Sequence, residues 1–96
     1  MSRAKRTDAN QAEIVAALRD VGCVVHCTHA VGGGFTDLVA WSPYTQRIHL
    51  LEAKTKRGRK TKKQLEFFAK WAAAVDAGLL TAPRSVDEAL ADVGAT

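Results

Sequence analysis

The run Arg47-Ile48-His49-Leu50-Leu51-Glu52-Ala53-Lys54-Thr55 constrains this chain more than any other stretch. In an extended strand Ile48 and Leu50 point one way, and Leu51 and Ala53 the other. Apolar side chains on both faces predict a central, covered strand over 47–55. The same strand carries Glu52 and Lys54 on one face, about 7 Å apart along the chain. A carboxylate on a covered strand is costly to bury alone, so a cation is expected beside it.

The surrounding sequence predicts α/β elements around that strand. Ile14, Leu18 and Val21 recur at the spacing of an amphipathic helix, with Thr7, Asp8 and Asn10 as cap candidates and Gly22 as its end. Residues 23–29 and 35–41 read as two further strands, separated by a glycine loop at 30–34. A turn through Pro43 lets the strand at 35–41 pair with the central one. Thr61 caps a second helix running to about Asp76. Its two apolar faces, Leu65-Phe68-Ala72-Val75 and Phe67-Trp71-Ala74, predict burial on two sides, the second of them in the core or against a dimer partner. A short strand at 79–82 and a helix at 85–93 follow.

The 96 residues make one domain, 1–96, with 1–8 a flexible basic N-terminus. At 47% hydrophobic and 25% charged, the chain is neither a disordered tail nor a disulfide scaffold. No apolar run approaches the ~18 residues of a membrane span, and no apolar stretch follows the basic start, so no membrane partner and a cytoplasmic location are expected.

Charge is unevenly spread. Residues 1–63 carry a balance of +7 and residues 64–96 one of −3. Ten of the 14 cations fall within 3–6 and 54–63, which points to a polyanion such as nucleic acid, or else to a solvated surface run. Cys23 and Cys27 would lie about 13 Å apart on a strand, beyond the reach of a disulfide. With His26 and His29 they also cannot wrap one zinc ion from an extended segment.

The chemistry concentrates at one sheet edge. Asp37, on the strand paired with the central one, and Glu52 are expected to converge there. Two carboxylates and the Ala53 carbonyl form a hard oxygen set suited to Mg²⁺ or Mn²⁺. Lys54 beside them suits orientation of a nucleophile or neutralisation of charge on a phosphate under attack. Lys56, Arg57, Arg59, Lys60, Lys62 and Lys63 would hold a phosphate backbone. Gln64, at the start of the second helix, is within reach of a water, Lys54 or DNA.

Gly34-Phe35-Thr36-Asp37-Leu38, then Glu52-Ala53-Lys54, then a basic loop and Gln64, resembles the PD-(D/E)XK nuclease superfamily. The closer likeness is to its VRR-NUC branch, small stand-alone phage and bacterial nucleases related to archaeal Holliday junction resolvases. It covers about residues 10–93, including the order of helices and strands. The resemblance implies a restriction-endonuclease-like core, a mixed central β-sheet flanked by helices. It implies Asp37 and Glu52 as metal ligands, Lys54 as the catalytic lysine and Gln64 as a supporting residue. A divalent metal, a homodimer and a preference for branched DNA, best a four-way junction, go with it. Thr36 stands where the family usually has proline, a commonly replaced position. The family's first-helix glutamate maps onto Glu13, with Gln11 competing in register.

Other readings compete with each assignment. Asp37 can be a turn acid, Glu52 and Lys54 a surface ion pair, and the cationic run a solvated face. The whole chain can likewise be a catalytically silent DNA-binding module, or a protein-interaction subunit using Phe67 and Trp71.

Overall fold

The computed structural model describes residues 9–55 and 58–96. The basic N-terminus, the cap candidates Thr7 and Asp8, and Lys56 and Arg57 lie outside the described residues.

Helix α1 (Ala9–Asp20) buries Ile14, Val15 and Leu18 on one face. It stops at Gly22, where the Gly22 N–H donates to Arg19 O and the Cys23 N–H to Leu18 O, each at 3.0 Å. This paired closure needs a left-handed residue, and Gly22 supplies it at φ +98° without a Cβ clash. Leu18 and Cys23, joined by the second of these bonds, both enter the core.

Four strands follow around the helices: β1 (Val24–Cys27), β2 (Leu38–Ser42), β3 (Arg47–Leu51) and β4 (Leu80–Thr81). Their order is β1-β2-β3-β4, antiparallel across the first two pairings and parallel between β3 and β4. The parallel step is made through α2 (Lys62–Lys70) and α3 (Ala72–Asp76), and α4 (Val86–Asp92) closes the chain. The protein is therefore an α/β fold with a mixed sheet and helices. No helix among the described residues is long and apolar enough to cross a membrane.

One sheet face carries the core. Val25, Leu38, Ala40 and Leu51 pack with Ile14 and Leu18 of α1, with Ala89 of α4 and with Val93 just past its end. Ser42 belongs to this buried face too, and its hydroxyl donates to Val93 O at 2.6 Å, tying β2 to the end of α4.

The opposite face differs from expectation. Val24, Trp41 and Ile48 are cross-strand partners in one row, and they remain 67%, 43% and 57% exposed. The strand expected to be covered on both faces is thus open at Ile48. The physical reason is the placement of α3: a gap of about 280 Å³ separates Trp71 and Ala74 from Ile48 and Leu50, so the helix does not close onto the sheet.

Two further boundaries move. The helix expected over 61–76 breaks at Trp71 (φ −104°, ψ 33°), whose ring stacks on Phe67 at 5.3 Å. Phe67 in turn meets Phe35 edge-on at 5.4 Å. No residue of α2 or α3 is buried, against the expectation of burial on two sides, because in one chain little besides Phe35 meets these faces. The strands are also shorter than 23–29, 35–41, 47–55 and 79–82, since pairing with β2 stops at Leu51 and a 3₁₀ turn begins at His29. The chain nevertheless stays extended beyond β3: Glu52 N–H donates to Thr81 O and Lys54 N–H to Pro83 O, both at 2.9 Å.

Candidate metal and phosphate site

Those last two bonds set the geometry. They turn the N–H groups of Glu52 and Lys54 toward β4, so Ala53 between them offers its N–H and C=O to the opposite edge. There the Ala53 N–H faces Asp37, one residue before β2, and lowers the pKa of its carboxyl. The antiparallel register that pairs Leu38 with Leu51 sets Asp37 opposite Glu52 at the next step. Asp37, Glu52 and the Ala53 carbonyl therefore share one sheet edge, as the sequence predicts.

Glu52 is only 2% exposed. Its Oε2 accepts from Gln64 Nε2 at 2.7 Å and lies 3.5 Å from Lys54 Nζ. Lys54 Nζ also donates to Gln64 Oε1 at 2.8 Å and to Arg59 O at 3.1 Å. Gln64 is held by its own helix: Oε1 accepts from Thr61 N–H at 2.8 Å, and Gln64 N–H donates to Thr61 Oγ1 at 3.2 Å. This reciprocal cap fixes the first turn of α2. One amide thus serves as helix cap, as donor to the acid and as acceptor from the lysine.

Burial pushes the Glu52 carboxyl up to about 7; the adjacent Asp37 charge adds to the rise and Lys54 opposes it. Burial also raises Asp37, against the lowering effects of its hydrogen bond with Glu52, the charges of Lys54 and His29, and the Ala53 N–H. With both acids ionised, Glu52 Oε1 is buried and has no hydrogen-bond donor. Two facing carboxylates in that state are satisfied by a proton or by a cation. The donor set therefore fits a divalent metal. Among the described residues no three His, Cys, Asp or Glu side chains gather as ligands, so water and phosphate oxygens would complete the shell, as hard Mg²⁺-type ions favour.

The remaining sequence candidates are scattered. Arg59 supplies its carbonyl to Lys54, and Lys60 Nζ sits 4.6 Å over the Phe68 ring. Lys62 and Lys63 are exposed in the first turn of α2, and Lys56 and Arg57 are outside the described residues. A Cβ at Gly34 would collide with the Lys63 carbonyl, which explains the third glycine of that loop as a close backbone approach to α2.

Glu13 does not join the site. It is exposed on α1, and neither its charge nor a hydrogen bond from it bears on Asp37 or Glu52. The polar α1 side chain that bonds this strand is Asn10, whose Nδ2 donates to Lys54 O at 2.6 Å. Arg84 also went unread in the sequence. Its Nη1 donates to Thr55 O at 2.7 Å and Gly58 O at 2.6 Å, tying these two residues to the segment after β4. None of these three bonds has a local signal, since the partners lie 44, 29 and 26 residues apart in the chain. Of the cysteines, Cys23 is buried and Cys27 exposed, and both are free.

Replacing Gln64 by Ala removes both bonds to Glu52 and Lys54 together with the side-chain half of the cap, while the backbone N–H at 64 still bonds Thr61 Oγ1. A stability loss of about 1 kcal/mol from the cap is expected in urea titrations. Any metal-dependent activity should fall by roughly 10–100-fold, the usual effect of losing a residue that orients a ligand.

No family model, curated protein or solved structure matches the chain.

Proposed function

We propose that the protein is a Mg²⁺- or Mn²⁺-dependent endodeoxyribonuclease that hydrolyses phosphodiester bonds in structured DNA, with a four-way junction as substrate. The observation that carries this reading is the buried Glu52 carboxylate, its Oε1 without a donor, set against Asp37 and flanked by Lys54. A pure DNA-binding surface gains nothing from carboxylates turned toward phosphates.

Asp37, Glu52 and the Ala53 carbonyl would hold the metal, which when bound acidifies a water and screens the phosphate charge. Lys54, held at Nζ by Gln64 and Arg59, presents a fixed positive charge to the phosphate as charge builds there. Burial of Glu52 keeps bulk water from screening that charge. Arg59, Lys60, Lys62 and Lys63, with Lys56 and Arg57, supply the backbone contacts that hold the strand. On this reading the protein works in the cytoplasm, where its DNA is.

The exposed row Val24-Trp41-Ile48 and the open apolar faces of α2 and α3 support a homodimer. Two copies related by a two-fold axis provide the two sites that symmetric cutting of a junction requires.

The test is cleavage of a labelled four-way junction beside a matched linear duplex, each with EDTA, Mg²⁺ or Mn²⁺. Paired symmetric nicks in the junction that need metal are expected. Equal cutting of both substrates would keep the nuclease and remove the junction preference. Tight binding without any cut would make the chain a silent DNA-binding module.

A further inference from the structure

Beside the site, α1 and the end of β1 border an open groove of about 380 Å³, within the size range of small-ligand clefts. Gln11, Ala12, Ala16, Arg19, Cys27 and His29 are among its lining. Gln11 is 9% exposed, and its amide makes no side-chain hydrogen bond with any described residue. The amide lies on the groove lining, where a ligand in the groove can meet it.

Both walls of the groove are tied to the strand segments that carry Asp37 and Lys54. Asn10, which precedes Gln11, bonds the Lys54 carbonyl at 2.6 Å. Thr28, which precedes His29, donates its N–H to Asp37 O at 2.6 Å, and the His29 charge reaches the Asp37 carboxylate. Arg19 on the rim is steadied by a 3.0 Å bond from Nη2 to Val25 O.

We propose that this groove holds one unpaired nucleotide of the DNA strand, next to the phosphate at the Asp37/Glu52 site. This rests on the nuclease reading and adds to it one unpaired nucleotide at the cut, which a four-way junction supplies when a base pair at its branch point opens. The Gln11 amide, a donor and an acceptor side by side, suits the free edge of an unstacked base. Ala12 and Ala16 leave a flat apolar wall for the base face, and Arg19 and His29 provide cationic or hydrogen-bonding contacts for the adjoining phosphates. A base engaged in a duplex cannot bring its edge into such a groove.

Cys27 reports on occupancy directly, because it lines the groove and is exposed while Cys23 is buried. The experiment measures iodoacetamide alkylation of Cys27 in the full chain with Ca²⁺, at saturating gapped duplex or matched continuous duplex. The gapped DNA is expected to slow alkylation about tenfold and the continuous duplex less than about twofold, a contrast set by burial of the thiol under the nucleotide. Gln11→Leu, which removes the amide at similar volume, should lower the gapped-to-continuous affinity ratio about tenfold, as loss of hydrogen bonds to a base edge does. Ala16→Leu, on the exposed wall, should abolish the protection by filling the groove, so the test does not depend on one variant folding.

Equal protection by both bound DNAs, or protection by neither, overturns the proposal. Metal-dependent cutting without protection removes the groove and leaves the nuclease. Protection that depends on Gln11, without any cutting in Mg²⁺ or Mn²⁺, upholds the groove and removes the nuclease.

Discussion

Lys54→Ala is expected to lower metal-dependent cleavage by about 10²–10³-fold while Mn²⁺ binding survives. The lysine does not ligate the metal; its Nζ lies 3.5 Å from Glu52 Oε2 and bonds Gln64 and Arg59. Its removal therefore takes away charge stabilisation without emptying the carboxylate pair. Asp37→Asn should behave in the opposite way, losing Mn²⁺ binding first and cleavage with it. Titration of Mn²⁺ by calorimetry, alongside single-turnover cleavage, separates the two roles. A Lys54→Ala protein that cuts at the wild-type rate would remove the lysine from the mechanism. One that cannot bind Mn²⁺ would make it a structural counter-ion instead.

Much of this site was legible in sequence because it lies on paired strands. Period-2 geometry alone sets Glu52 and Lys54 on one face, and the short connection through Pro43 brings Asp37 opposite Glu52. Gln64 could be read because a helix start is announced locally by Thr61. Glu13 failed for the opposite reason: helical spacing gives its face relative to Ile14, but not how far α1 slides along the sheet. That placement depends on packing against α4 and β1, and it brings Asn10 rather than Glu13 to the Lys54 carbonyl. The Arg84 clamp on Thr55 and Gly58 is likewise a product of chain folding between distant segments. The break at Trp71 went unread because stacking on Phe67, not helix propensity, accompanies it. The open face at Ile48 was missed because apolar content on both sides of a strand does not say which side its own chain covers.

Glu52→Gln is expected to make the metal-free protein more stable than wild type at pH 8 and to abolish cleavage. Folding raises the Glu52 carboxyl from its ordinary 4.5 to about 7. Between those values the native state binds more protons than the unfolded chain, so stability falls as pH rises across the window. The stabilising proton is fully present below about 4.5 and gone above about 7. The loss is on the order of 3 kcal/mol for a shift of this size. Asp37 is raised by burial as well, so the two acids titrate as a pair and the transition is broad. A neutral amide at position 52 has no proton to lose, and the variant should show a flatter profile. His49 works against this trend, since burial lowers its pKa and its protonation weakens the fold as pH falls below about 6.5. It is present in both proteins and cancels in their difference. Urea titrations of wild type and Glu52→Gln from pH 5 to pH 8 measure that difference directly. Mn²⁺ at 100 times its Kd should restore about 2.7 kcal/mol to wild type at pH 8 and much less to the variant. A wild-type protein whose stability relative to the variant stays level from pH 5 to pH 8 would mean that the buried pair is not poised for a cation. The carboxylates would then be structural, because an ion site and a pH-dependent weakness are two consequences of the same unpaired charge.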